Sequence, residues 1–220
     1  MKNIFLPLLA FILGFTAVAG YQYVHAKTNT VIEQPQSKAD QPMAETPQPT
    51  FALVPPSGAV SGTLTVTSGH TLKYSRNDVE YKEASTGAQI LIGESIATNE
   101  NSTAVADVTG IVKASLGQVS ELVFANLFPS DFVLQQKIGK IDYQVTKPIS
   151  VRALNVLVTI PSGESVINII DTDISITVKT GSVKFALVDN DNNTKVWTLK
   201  AGERANIDDA AREVFLVNTR

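Results

Sequence analysis

Cysteine is absent from the 220 residues. That excludes disulfide bridges, thiolate metal sites, a thiol nucleophile and the lipid-modified cysteine of a bacterial lipoprotein. Stability must then come from an apolar core, which a chain of this size can build. Histidine is nearly absent too. His25 closes an apolar N-terminal segment, so His70 is the one histidine of the remaining chain. A Ser-His-Asp triad would have to use it, and "SGHTLK" offers no nucleophile or base setting; zinc lacks its usual ligands for the same reason. Charged residues make up only 18% and the net charge is −3, so the basic excess that nucleic acid or anionic lipid would require is missing. Gly62, Gly69, Gly93, Gly110 and Gly117 are scattered rather than gathered into a phosphate cradle.

What is present begins with one long apolar run. Lys2 is followed by Ile4–Gly20, "IFLPLLAFILGFTAVAG", and the next charged residue is Lys27. With Val24-His25-Ala26 at its end, the layout over residues 1–26 is that of a cleavable signal peptide. Asn3–Ala26 is also long enough to cross a hydrocarbon core of about 30 Å as an uncleaved helix. Both readings place the rest of the chain outside the cytoplasmic membrane, secreted or anchored by residues 4–24. Residues 27–59 then hold six of the ten prolines: Pro35, Pro42, Pro47, Pro49, Pro55 and Pro56. Proline lacks an amide donor and fixes φ, so this stretch is expected to be an extended, disordered linker.

From Val60 the pattern is strand after strand. Segments such as "SGTLTVTSG", "STAVADVTG", "NVLVTI", "ISITVKTG" and "TKVWTLKAG" are short, rich in Val, Ile and Thr, and bounded by Gly, Pro, Asn, Asp or Ser. Ile174, Ile176 and Val178 alternate with Ser175, Thr177 and Lys179, as do Val183, Phe185 and Leu187 with polar or small partners. Period two with one apolar face predicts antiparallel strands packed on a core. Strands about ten residues apart point to an all-β sandwich or jelly roll over residues 60–217. Thr180-Gly181 is expected to be the tight connection between two of them.

One stretch invites a metal. Asp189, Asp191 and Asn193 fill the first three ligand positions of a D-x-[DN]-x-[DN]-G calcium loop. The required Gly is Thr194, and Lys200 stands where a bidentate Glu belongs. Asp and Asn also favour plain turns, and a turn is the expectation. Asp171 and Asp173 form a second pair between strands. Glu94, Glu121 and Glu203 are available carboxylates without a distinguishing pattern. Trp197 with Tyr74, Tyr81 and Tyr143 is a candidate sugar-stacking set, with Trp197 capping the core as the preferred reading.

Several pieces together resemble one family. "AVSGTLTVTSG" is similar to the opening strand of the FecR domain, the extracytoplasmic sensor module of ferric-citrate-type signal regulators. Gly93-Glu94-Ser95-Ile96-Ala97-Thr98 followed by Ser102-Thr103-Ala104-Val105, the segment Ile176–Phe185, and Leu199-Lys200-Ala201-Gly202-Glu203 resemble further motifs of that family, in order, over most of Val60–Asp208. The chain departs from it at Ala153-Leu154-Asn155, where the family often has a Gly-Thr before an aromatic residue, and in having only Met1-Lys2-Asn3 ahead of the apolar run. The resemblance implies a partner-binding β module with no catalytic residues to carry over. Contact with a sigma factor is not expected. The sequence therefore leads to a non-enzymatic, cofactor-free envelope protein that recognises a protein or glycan. The alternatives are an envelope hydrolase acting on glycan or peptide, and a structural cell-surface protein.

Overall fold

The computed structural model describes residues 56–75 and 80–218. The apolar segment 1–26 and the linker as far as Pro55 lie outside the described residues. The described chain opens with a turn in which the Ala59 N–H donates to Pro56 O (3.2 Å), and Val60 then joins the sheet through Leu127 O (3.0 Å). Fifteen strands follow among the described residues, with turns and loops between them. They are β1 (Gly62–Ser68), β2 (Thr71–Tyr74), β3 (Lys82–Ala84), β4 (Gln89–Ile90), β5 (Ser95–Thr98), β6 (Thr103–Val108), β7 (Val112–Leu116) and β8 (Ser120–Phe128). The remainder are β9 (Asp131–Val145), β10 (Ile149–Ala153), β11 (Val156–Ile170), β12 (Asp173–Val188), β13 (Thr194–Lys200), β14 (Glu203–Asp208) and β15 (Glu213–Asn218). The fold is all-β, as the alternation requires.

Three strands are far longer than the spacing of turn residues predicts. β9 and β11 have 15 residues each and β12 has 16. Each runs through two arms of one ladder. In the first arm the order is β15-β14-β12-β11-β9-β7-β6-β1-β4, using Asp173–Thr177 of β12, Ser165–Ile169 of β11 and Ile141–Val145 of β9. In the second it is β13-β12-β11-β10-β9-β8-β5-β2-β3, using the other halves of the same three strands. All of these pairings are antiparallel except β9 with β10.

The expected tight turn at Thr180-Gly181 is not one. These residues lie inside β12, which pairs along β11 from Ile170↔Asp173 to Leu157↔Ala186, with register shifts between. They mark a corner. In β12 the buried side chains are Ile174, Ile176 and Val178 before it, and Val183, Phe185 and Leu187 after it. The inward face thus passes from even to odd positions. β11 makes the same switch between Ile160 and Ser165, and β9 between Gln136 and Ile141. An irregularity of this kind turns a strand from one arm into the other while keeping its apolar side inward. Pro161 sits in the β11 corner, where a missing amide donor costs no regular ladder bond. Both arms feed one buried cluster that includes Leu64, Ile96, Phe124, Leu134, Ile167 and Phe185. Burying a side chain of that size contributes about 1.5–3 kcal/mol.

Candidate functional site

The acidic stretch is the turn between β12 and β13. Asp189 O accepts from the Asn192 N–H (3.1 Å), and the Asp189 N–H donates to Asn193 O (2.9 Å). Asn192 occupies the left-handed region at φ 61°. The Asp189 side chain organises the bend. Oδ1 accepts the N–H groups of Asp191 (3.0 Å) and Asn193 (2.9 Å), and Oδ2 faces Lys195 Nζ at 3.0 Å. The Asn193 amide first, and Lys195 next, hold this carboxyl below its ordinary value. Asp191 and Asn193 thus contribute backbone amides to the Asp189 carboxylate.

The other predicted residues are dispersed. His70 Nδ1 pairs with Glu83 Oε1 at 2.5 Å on an exposed edge. Glu94 is buried, and its carboxylate takes Lys73 Nζ (2.8 Å), Ser75 Oγ (2.7 Å) and the Leu91 N–H (2.7 Å). Glu203 accepts the Lys200 N–H at 2.7 Å. The two Gly-Glu motifs therefore build the same device, a glutamate folded back onto the amide three residues earlier. Glu121 accepts from both Tyr81 (2.7 Å) and Lys137 (2.6 Å). Burial pushes the Tyr81 hydroxyl pKa up, and the bond to Glu121 raises that of Lys137. Trp197 stacks on Phe185 with ring centroids 5.1 Å apart and planes 11° apart, capping the core. Tyr143 does not belong to any stacking set. It is fully buried and donates to Gln136 Oε1 at 3.0 Å. Its phenol pKa lies well above the usual value because burial disfavours the phenolate. Tyr74 and Tyr81 remain as a tilted pair, 5.3 Å apart.

The feature that does gather side chains is the outward face of the first arm. Strand register places Lys140, Asn168, Ser175, Asn206 and Phe215 in one row across five strands. Beside it Asp142, Val166, Thr177, Arg204 and Val217 form a second row across the same strands. Between and along these rows run two shallow grooves of about 430 and 310 Å³, which share Asn168, Ser175 and Arg204. Arg204 Nε donates to Asn206 Oδ1 (2.9 Å), fixing that amide, and Lys179 pairs with Asp142. The larger groove ends at Ile170 and Phe215, both exposed. Asp173 and Asp208 are direct cross-strand partners on its wall. A separate cleft of about 450 Å³ lies on the other side of Phe215, against Trp197, Lys195 and Arg212.

None of Asn168, Ser175, Arg204, Asn206 or Phe215 stood out in the sequence. They are polar or small partners in alternating strands, or an aromatic on the last one, and their meeting depends on strand pairings between residues 7 to 31 positions apart. The available signal was the outward set itself, which at Asn168, Ser175 and Thr177 is amide and hydroxyl.

No family model matches the chain, and no curated protein matches it. Two crystal structures, at 2.50 Å and 1.65 Å, of a "putative anti-sigma factor" from Parabacteroides distasonis ATCC 8503 are similar to it, each with a TM-score of 0.49 and 18% identity over 56% of this chain. The chain spans 59% of the length of that protein.

Proposed function

We propose that this chain is an exported, non-enzymatic recognition module of the FecR-like kind, its two arms closed as a sandwich, that binds an envelope glycan or protein through the outward face of its first arm. The observation that carries the reading is the groove across β11, β12 and β14, lined by the side-chain amides of Asn168 and Asn206, the Ser175 hydroxyl and the Arg204 guanidinium. Open, shallow and hydroxyl- and amide-lined, it suits an extended ligand that offers many hydrogen-bond partners, with the Phe215 ring as an apolar stop. A glycan chain fits that description better than a compact metabolite. Export rests on the N-terminal apolar segment, and no sigma-factor contact is part of the proposal.

Titrating soluble envelope-glycan fragments into the full-length chain by calorimetry tests it. Asn168→Ala, Asn206→Ala and Phe215→Ala each weaken binding by tenfold or more; unchanged affinity in all three refutes the groove as the site. One observation favours a second reading, hydrolysis. Asp173 and Asp208 are neighbouring carboxylates on the groove wall, as a two-carboxylate glycosidase requires. Turnover of the same fragments that disappears in both Asp173→Asn and Asp208→Asn would replace binding by catalysis.

A further inference from the structure

Among the described strands, four have a neighbour on one side only: β3, β4, β13 and β15. An open edge is a template for pairing with another chain, and proteins blunt it with short length or with charge, lysine above all. Three of the four edges are blunted in this way. β4 is two residues long, β3 is Lys82-Glu83-Ala84, and β13 carries Lys195 and Lys200. β15 is not. Between Glu213 and Asn218 it reads Val214-Phe215-Leu216-Val217, without a charge or proline. Phe215 is 56%, Leu216 57% and Val217 38% exposed.

Leu216 is the more telling of these. An inward row runs Ala104-Leu116-Ile141-Ile167-Ile176-Ala205 across the first arm, every member at most 2% exposed. Leu216 is the next residue in that row. It lies on the core side of the sheet, and the core stops short of it.

We infer that β15 pairs antiparallel with β15 of a second copy of this chain, so that the first arms of the two copies form one continuous sheet. The sequence of the strand selects this occupant. A two-fold axis normal to the sheet must set one residue of β15 opposite its own copy. With Leu216 on the axis, Phe215 meets Val217 of the other copy, Leu216 meets Leu216, and the half-buried Val214 falls opposite Asn218. All three exposed apolar residues then face apolar partners, and no like charges meet. With Phe215 on the axis, Glu213 opposes Val217; with Val217 on the axis, Leu216 opposes Asn218. Of these registers, only the one centred on Leu216 sets all three exposed apolar residues against apolar partners. It completes the inward row through Leu216 and brings the Phe215 ends of two grooves side by side, which goes beyond the binding reading and does not depend on it.

The cysteine-free chain permits a register-specific test. In this pairing Leu216 and its copy are direct neighbours, about 4.5–5.5 Å apart at Cα, within disulfide reach. Val214 and its copy are offset by four residues, about 14 Å along the strand. Under mild oxidation the full-length Leu216→Cys chain is expected to give at least fivefold more covalent dimer than the full-length Val214→Cys chain. Sedimentation of the unmodified full-length chain should show mass rising towards a dimer with concentration, and Leu216→Lys should abolish that rise. Equal cross-linking at the two positions, a mass that stays monomeric at hundreds of micromolar, or unaltered association of Leu216→Lys would each overturn the inference. A failure of glycan binding in the groove variants touches none of these readouts.

Discussion

Gly163 stands directly opposite Gly181 across the β11–β12 ladder, both at positive φ (106° and 79°). A Cβ on Gly163 would lie 2.4 Å from Thr180 O, and one on Gly181 would lie 2.5 Å from Ser162 O. Each glycine is the space into which the other strand's corner fits. Alanine at either position meets backbone, which cannot swing aside as a side chain can. Gly163→Ala and Gly181→Ala should each cost more than the roughly 1–3 kcal/mol of an unfavourable backbone conformation alone. In denaturant titrations the double variant should lose less than the sum, because the two corners relax together. Losses below about 0.5 kcal/mol would show that the corner is not tightly packed.

The corner of β9 is held by a buried polar set. Gln136 Nε2 donates to Gly139 O (2.7 Å) and Ile167 O (3.1 Å), and its Oε1 accepts from Tyr143. Tyr143→Phe leaves one buried acceptor unpaired and should cost about 1–3 kcal/mol. Gln136→Leu strands two carbonyls and a hydroxyl and should cost more. Alkaline titration followed by tyrosine absorbance should show Tyr143 ionising only as the fold is lost, since its pKa is raised by burial. Its ionisation with the exposed tyrosines, before unfolding, would contradict the buried position.

Asp189 gives a signed acid prediction. Its carboxyl is held below the ordinary value of 3.8 by the Asn193 amide and Lys195. On lowering the pH, the unfolded chain therefore takes up this proton first. The stabilisation is fully present above the unfolded pKa and is lost as pH falls through the folded one. The stability gap between the native chain and Asp189→Asn should be constant above about pH 5 and narrow below it. A gap that stays constant or widens down to pH 2 would rule this out.

Calcium should leave the melting temperature unchanged. Both Asp189 oxygens are engaged, by two amides and by Lys195, and a bound cation would have to displace them. A saturable rise in melting temperature that Asp189→Ala and Asp191→Ala remove would establish a metal loop after all.

The strand content and the inward residues were legible because alternation is a local signal. Ile174, Ile176 and Val178, and then Val183, Phe185 and Leu187, appear in the sequence as they appear in the core. The corner was not legible, for a geometric reason. A two-residue turn at Thr180-Gly181 would place Val178 opposite Val183 and Ile176 opposite Phe185, all on one face. A corner in one continuous strand needs the same switch of parity to keep the apolar side inward. The two arrangements share one pattern, and only the partner strand separates them. The groove was hidden for a related reason, since Asn168, Ser175 and Asn206 become neighbours only through register.

Because β9, β11 and β12 each belong to both arms, no cut in the sequence between Asp131 and Val188 yields an intact half. A premature stop or a proteolytic nick there deprives both arms of strands at once, so the described strands should melt as a single cooperative unit. Deletion mapping, the usual first step in locating a binding region, would here report only collapse; single outward-facing substitutions are the instrument this architecture permits.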